Sequence, residues 1–167
     1  MGTGLEQGAA PSTPAAELPT AAQWRLDSLG GLSGLRAGLR SAINEAAGRD
    51  EEVPLDDVPE HLALVATELA TNALAHALPP TLVRLRTDGS TFVLEVLDHD
   101  LDEAPAIPDT RAPGQGGYGL LLAQRLAADV GWYRERSSKT VWALFTLPGV
   151  TPPLTPDATD ARPDDPA

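Results

Sequence analysis

Residues 81–98 read Thr-Leu-Val-Arg-Leu-Arg-Thr-Asp-Gly-Ser-Thr-Phe-Val-Leu-Glu-Val-Leu-Asp, and this stretch decides the fold. Apolar residues alternate along it on both sides of Asp88-Gly89, a pattern typical of two strands joined by a tight hairpin turn. A second alternating pair occupies Trp132–Arg136 and Thr140–Leu147, and Trp24–Leu26 is a candidate for a short opening strand. The sequence therefore predicts four to five strands, most of them antiparallel to their neighbours.

Helical spacing appears on either side of the first hairpin. Four apolar residues recur at this spacing in the first helix, which is predicted to stop at Gly48: Leu32, Leu35, Leu39 and Ile43. A second helix begins near Asp57 and ends by about Ala77, because Pro79-Pro80 cannot continue it. A third is predicted over Gly119–Asp129, before Gly131. The order of elements predicts an α/β (α+β) two-layer sandwich, with three helices on a mixed, mostly antiparallel sheet.

The two ends of the chain differ in composition from its middle. Residues 1–20 and 150–167 are rich in Pro, Ala and small polar residues and have little to bury, so both are predicted to be disordered tails around a domain at 21–149. The chain has no cysteine, which excludes thiol chemistry. It also has no apolar run near the roughly 20 residues of a membrane helix and no signal-peptide pattern, so we expect a cytoplasmic protein.

The net charge of -12 constrains the partners. Nucleic acid requires a basic footprint, so a surface this acidic argues against it. The charge favours a protein partner with basic patches, and an ordinary solvated acidic surface is the alternative.

Three features of the sequence suggest chemistry, and each has a purely structural alternative. Glu68 and Asn72 stand one helical turn apart, so their oxygens could bind Mg²⁺ or accept a proton, or they could simply form a solvated polar face. The run Gly114–Gly119 leads into a helix and could cradle phosphate, or serve as a flexible linker. Asp98 is in phase with the inward residues of its strand and could accept a base amine, or cap a turn.

In combination, these features resemble the GHKL (Bergerat-fold) ATPases, the superfamily that includes histidine kinases and DNA gyrase B subunits. Within it, the chain is similar to the small anti-sigma-factor serine/threonine kinases of the RsbW and SpoIIAB type, especially their actinobacterial relatives. Four segments carry the resemblance: Glu68–His76, Val96–Asp98, Gly116–Leu122 and Lys139–Trp142.

The resemblance implies a role for each matching position. Asn72 would coordinate Mg²⁺, and Glu68 would be the catalytic base that takes the proton of the acceptor serine. Asp98 would bind the adenine amine of ATP, with support from Thr140, directly or through water. Gly117 and Gly119 would close over the triphosphate as part of a lid spanning residues 99–118. The implied nucleotide-binding set is completed by three neighbours of these glycines: Gly114, Gly116 and Leu120.

The function that the resemblance implies is an ATP-dependent protein serine kinase that phosphorylates a STAS-type antagonist and sequesters a sigma factor. The resemblance also makes a homodimer one possible partner arrangement, since relatives often form dimers. One departure is the adenine box, where the family's Asp-x-Gly-x-Gly is replaced by Asp98-His99-Asp100-Leu101-Asp102. The missing glycines favour the first alternative, a non-catalytic nucleotide-binding switch. A second alternative is an interaction module without nucleotide, against which the retained Asn72, Gly117 and Gly119 argue.

Overall fold

The computed structural model describes residues 12–14, 17–48, 57–76, 79–99 and 119–153. These residues form a five-stranded sheet covered on one face by three α-helices. The elements in chain order are β1 (Thr20–Leu26), a single 3-10 turn (Leu29–Gly31), α1 (Leu32–Ala46), α2 (Val58–His76), β2 (Thr81–Thr87), β3 (Thr91–Asp98), α3 (Gly119–Leu126), β4 (Asp129–Arg134) and β5 (Lys139–Thr146). The predicted two-layer fold is confirmed, and the candidate opening strand is present and longer than predicted.

The sheet has the order β1-β2-β3-β5-β4, and every pairing in it is antiparallel. The prediction of a mixed sheet is therefore wrong. Strands β3 and β4 run in the same direction, but β5 lies between them because it forms a hairpin with β4 and a full ladder with β3. β3 and β4 are therefore not neighbours in the sheet, so their common direction does not give a parallel pair.

The β2–β3 hairpin turns at Asp88-Gly89, as predicted. Gly89 has a positive φ of 99°, a backbone conformation that residues with a Cβ rarely adopt. Oδ1 of Asp88 accepts hydrogen bonds from the backbone amides of Thr91 at 2.8 Å and Ser90 at 3.0 Å. These two bonds, the one from Thr91 first, hold the pKa of Asp88 below its ordinary value. The turn is therefore built by local side-chain chemistry.

The core lies between the helices and one face of the sheet. α1 contributes its predicted stripe of Leu35, Leu39 and Ile43, each 1% exposed or less. α2 contributes Leu62, Val65, Leu69 and Ala73, and the strands supply alternate residues such as Val83, Phe92 and Leu94. Each fully buried side chain of this size stabilises the fold by about 1.5–3 kcal/mol relative to its exposed state.

Gly38 lies in the middle of α1, where a glycine is unfavourable for a helix, and packing against β1 explains its presence there. A Cβ at this position would lie 2.6 Å from Nε1 of Trp24, so the indole of β1 occupies the space that a side chain would need. The cost of a mid-helix glycine, about 1 kcal/mol relative to alanine, is thereby offset by a close contact between helix and strand.

The third helix ends earlier than predicted. α3 ends at Leu126 rather than Asp129, and Asp129 instead begins β4. Gly131 is not a helix stop but lies within β4, where the Trp142 ring and the Ser12 hydroxyl fill the space beside its Cα. The tertiary partner of this glycine is distant in sequence, so the local pattern could not distinguish the two roles.

Part of the N-terminal segment 1–20, which the sequence predicts to be a disordered tail, contacts the sheet. The Ser12 amide donates to the Trp132 carbonyl and the Trp142 indole donates to the Ser12 carbonyl, both at 2.7 Å. Leu18 packs on the face of the sheet opposite the helices. Residues 1–11, 15–16 and 154–167 lie outside the described residues.

Candidate functional site

Glu68 and Asn72 lie on one flank of α2 and are both partly buried. The apolar residues on either side of them, Leu69 and Ala73, hold this flank against the core. In the same segment, Thr71 Oγ1 donates to the Thr67 carbonyl at 2.6 Å, so this hydroxyl bonds within the helix. Glu68 and Asn72 share one side of the helix, as the helical spacing predicts.

Glu68 is also reached from solvent through a groove between α1 and α2. The groove has a volume of about 320 Å³ and contains Arg36 and Arg40 from α1, with Glu60, Leu64 and Glu68 from α2. Nη2 of Arg40 donates to Oε2 of Glu60 at 2.9 Å in an exposed ion pair. A hydroxyl group on another molecule could therefore approach the Glu68 carboxylate along this groove.

Asp98 ends β3 on the helix-facing side of the sheet, as predicted from its phase, and is 8% exposed. The residue opposite it in the β3–β5 ladder is Lys139, which is 6% exposed. Nζ of Lys139 lies 3.8 Å from Oδ1 of Asp98. The acceptor predicted for a base amine is thus accompanied by a buried cation that the sequence analysis assigned no role.

Thr140 is not beside Asp98. It pairs with Leu97 on β3 and Tyr133 on β4, and directly opposed residues of antiparallel strands share a face. Thr140 therefore lies on the face of the sheet that carries Trp142 and Leu144, away from the helices. The geometry does not support a joint contact of Asp98 and Thr140 with one ligand.

That opposite face carries its own buried charge. Glu95 is 2% exposed, and its Oε2 accepts hydrogen bonds from Arg84 at 3.1 Å and Arg86 at 3.2 Å. Tyr133 donates to the other carboxylate oxygen at 3.4 Å. Burial, and then the Glu95 charge, raise the pKa of Tyr133. The Thr140 hydroxyl beside the phenol opposes this rise, although the two atoms lack the geometry of a full hydrogen bond.

A further polar side chain lies in line with Asp98 and Lys139. Leu82 pairs with Leu97, so Thr81 occupies the next position along the ladder, level with Asp98 and on the helix-facing side. Thr81 is completely buried, and its hydroxyl has no hydrogen-bond partner among the residues that the structure describes. An unsatisfied buried hydroxyl costs about 1–3 kcal/mol, so this end of the sheet is suited to receiving a polar ligand.

The glycine-rich positions can be located only in part. Gly119 and Leu120 are the first two residues of α3, so the predicted helix start is confirmed. Gly114, Gly116, Gly117 and the lid at 99–118 fall outside the described residues, except His99. Nδ1 of His99 donates to the Ser137 carbonyl at 3.0 Å, which joins the start of this segment to the β4–β5 turn.

The donor set of α2 suits magnesium better than a metal held by protein alone. In the described part of the chain, no group of three or more His, Asp or Glu side chains could hold a metal ion. Mg²⁺ typically takes one or two protein oxygens and completes its shell with waters and phosphates. Asn72 and Glu68 fit that mode of binding.

The matches to known proteins agree with this geometry. The model of the histidine kinase-like ATPase domain family matches residues 32–145, more than half of the chain. The chain belongs to this family. The predicted resemblance to GHKL ATPases is thereby confirmed, and membership of a histidine kinase-like ATPase family implies ATP binding.

A solved structure shares the histidine kinase-like fold. It contains the RsbU and RsbW domains of Rv1364c from Mycobacterium tuberculosis, with a TM-score of 0.50 and 16% sequence identity. The match covers 75% of this chain and 32% of the other, so this chain spans about a third of that protein's length. No curated protein matches. None of the helices in the described ranges is long and apolar enough to cross a membrane.

Sequence reasoning missed two residues of the candidate site, Lys139 and Thr81. The predicted last strand began at Thr140 and so left Lys139 outside it, and a threonine at the start of a strand gives no sign of a ligand. A signal for Lys139 was nevertheless available, since it is the only lysine of the chain and immediately precedes the alternating run of β5.

Proposed function

We propose that this histidine kinase-like ATPase domain is a protein serine kinase of the anti-sigma-factor type. It phosphorylates a serine on a STAS-type antagonist protein and binds a sigma factor. The observation that carries the proposal is the position of Glu68 and Asn72, one turn apart on a partly buried flank of α2 beside the apolar stripe.

The two residues have separate roles in the proposed reaction. Asn72 contributes an oxygen ligand to Mg²⁺, which neutralises phosphate charge when bound. The Glu68 carboxylate accepts the proton of the acceptor serine hydroxyl as the serine oxygen bonds to the γ-phosphorus. The bond between that phosphorus and the bridging oxygen breaks, and ADP leaves. The groove between α1 and α2 gives the serine a route to Glu68.

The acidic surface supports a protein partner rather than nucleic acid. The net charge is -12, and a phosphate backbone would be repelled by it. Three parts of the proposal rest on the likeness to RsbW-type proteins: the sigma factor, the STAS-type antagonist and a homodimer. The RsbW-containing structure is consistent with this class of system and supports the fold only.

A phosphotransfer assay tests the proposal. The full chain is incubated with ATP labelled at the γ-phosphate and with candidate STAS-domain proteins, and transfer to serine is followed by mass spectrometry. Glu68→Gln should reduce transfer by at least about a hundredfold, the usual effect of losing a general base. Glu45→Gln is the matched control, because this exposed glutamate of α1 is not among the residues that line the groove. Equal transfer by wild type and Glu68→Gln would contradict the assigned base.

The second candidate function is a nucleotide-dependent switch that binds a protein partner without phosphoryl transfer. The altered adenine box at Asp98–Asp102 favours it. It predicts ATP binding and ATP-dependent partner affinity, with no labelled product for any acceptor. The same assay, combined with a titration of ATP, separates the two functions.

A further inference from the structure

We propose that Lys139 is a base-recognition residue, which together with Asp98 reads the donor and acceptor edge of the nucleotide's purine. This inference rests on the proposed binding of ATP and extends it to the selection of the base. It replaces the contact that the sequence analysis assigned to Thr140.

The position of Lys139 carries the first step. Lys139 lies opposite Asp98 in the ladder, on the helix-facing side, and both side chains are more than nine-tenths buried. Thr140 faces the other way. If Asp98 contacts the base, the side chain placed to share that contact is Lys139.

The burial of both charged groups, Asp98 and Lys139, is the second observation that supports the proposal. Removing two charges from water is expensive, and a buried ion pair is often no more stable than well-packed apolar residues. The separation of 3.8 Å is longer than the roughly 2.7–2.9 Å of a charge-assisted hydrogen bond. A ligand that donates to Asp98 and accepts from Lys139 would add hydrogen bonds to this buried contact.

The buried hydroxyl of Thr81 is a third and independent observation. Its hydroxyl is completely buried, level with Asp98 on the next strand, and has no hydrogen-bond partner among the described residues. Three strands therefore place polar groups in one row at this end of the sheet. The row runs from Thr81 through Asp98 to Lys139.

The chemistry of the pair matches adenine. A carboxylate accepts hydrogen bonds and an ammonium group donates them. The edge of adenine presents an amine donor at N6 beside an acceptor nitrogen at N1, so Asp98 would accept from N6 and Lys139 would donate to N1. Guanine presents an acceptor at O6 and a donor at N1, and in the same orientation both contacts become repulsive. The pair therefore favours adenine over guanine.

The experiment is a calorimetric titration of the full chain with Mg-ATP, Mg-GTP and an ATP analogue that carries carbon in place of nitrogen N1. Wild type should bind the analogue at least about tenfold more weakly than ATP, the effect expected for losing a hydrogen bond to a charged group. This comparison needs no substitution, so it stands even if variants of a buried residue fold poorly. Equal affinity of wild type for ATP and the analogue overturns the inference.

Substitutions then assign the contact to Lys139. Lys139→Met should bind ATP at least about tenfold more weakly than wild type and should no longer discriminate between ATP and the analogue. Lys139→Gln keeps a neutral donor and should retain part of the discrimination. Thr140→Val is the matched control and should behave as wild type.

The outcomes separate this inference from the function on which it rests. If Lys139 instead contacts phosphate, as its neighbour Arg134 on β4 could also do, Lys139→Met weakens ATP and the analogue equally and the inference fails. If wild type binds ATP but does not distinguish the analogue, only the inference fails. If wild type does not bind ATP, ATP binding and the inference fail together. No acceptor protein is present, so the result is independent of kinase activity.

Discussion

Asp98 and Thr140 point to opposite faces of the sheet although they lie on adjacent strands and only one position out of register. Side chains alternate between faces along a strand, so a shift of one residue decides which layer a side chain meets. The nucleotide contact predicted for Thr140 is therefore proposed for Lys139 instead, and the two positions should respond differently to substitution.

Thr140→Val should leave ATP affinity unchanged. The Thr140 hydroxyl is buried on the face away from the helices and has no hydrogen-bond partner in the described part of the chain. Replacing it with a methyl group of similar size should change the free energy of unfolding by less than about 1 kcal/mol. Calorimetric titration and chemical denaturation measure the two quantities. A tenfold loss of ATP affinity would restore Thr140 to the site.

Asn72→Ala should remove the stabilisation that Mg-ATP gives to the wild-type protein. At a ligand concentration of a hundred times Kd, binding stabilises the folded state by about 2.7 kcal/mol, and this should appear as a rise in Tm. The variant without nucleotide should melt near wild type, because alanine favours a helix. Thr71→Ala, which removes a hydroxyl that bonds within the helix, is the control and should keep the response to Mg-ATP. An unchanged rise in Asn72→Ala would exclude Asn72 as the metal ligand.

Asp88→Ala should destabilise the protein in a pH-dependent way. The folded state holds the pKa of Asp88 below its ordinary value of 3.8, chiefly through the Thr91 amide. A lowered pKa contributes stability that is fully present above the unfolded value and is lost as the pH falls through the folded value. The difference in free energy of unfolding between wild type and Asp88→Ala should therefore be largest near neutral pH and shrink below pH 3.8.

Denaturation in urea across this pH range measures the difference. Ser90→Ala removes a hydroxyl that bonds the same carboxylate oxygen but leaves both amide bonds, so it should cost less at every pH. A difference that stays constant from neutral to acidic pH would show that the amide bonds to Asp88 do not depend on its charge.

Removing both arginine partners of Glu95 should be strongly destabilising. The double substitution Arg84→Met and Arg86→Met leaves a carboxylate that is 3% exposed without its two ion pairs. Stranding a buried charge typically costs about 3–5 kcal/mol, and the partial exposure of both arginines places this case at the lower end. Adding Glu95→Gln to the double variant should recover part of the lost stability. The free energies of unfolding of these variants, measured by urea denaturation, give the coupling between Glu95 and the two arginines.

The charge of Glu95 should also affect the pKa of Tyr133. Its pKa is raised first by burial and then by the negative charge of Glu95. Glu95→Gln removes only the second cause, so the pKa of Tyr133 should fall but stay above its ordinary value of 10.0. Ultraviolet absorbance of the phenolate follows this, with Tyr133→Phe identifying the signal. A rise in the pKa of Tyr133 would contradict the assigned contact.

Deleting residues 1–19 should lower Tm and expose Trp142. Its indole donates to the Ser12 carbonyl and packs beside Leu18, both of which the deletion removes. Tryptophan emission should shift to the red, while ATP affinity should stay unchanged because the proposed nucleotide site lies on the other face. Deletion of residues 1–11 keeps Ser12 and serves as the control. Equal melting of the two deletions would show that the contacts of residues 12–19 do not stabilise the sheet.

The sequence predictions were accurate where the interactions join residues close in sequence, and they failed where the interactions join residues far apart in sequence. The helices of Leu35 and Leu69 were predicted because apolar spacing is a local signal, and the turn at Asp88-Gly89 was predicted because its hydrogen bonds are local as well. Gly131 was misassigned because its neighbours are Ser12, from a distant part of the chain, and Trp142, which only the pairing of β4 with β5 brings beside it. The ordered contacts of Ser12 were missed for the same reason.

The sequence by itself determined the elements of this protein, the polar pair Glu68 and Asn72 on one helix flank, and the family to which the chain belongs. Each depends on residues within a few positions of one another or on a motif order that can be read directly. Only the tertiary structure decided that Asp98 meets Lys139 and not Thr140, and that Thr81 joins their row. Those choices depend on the register between strands some forty residues apart in sequence, where one position exchanges the buried face for the opposite one.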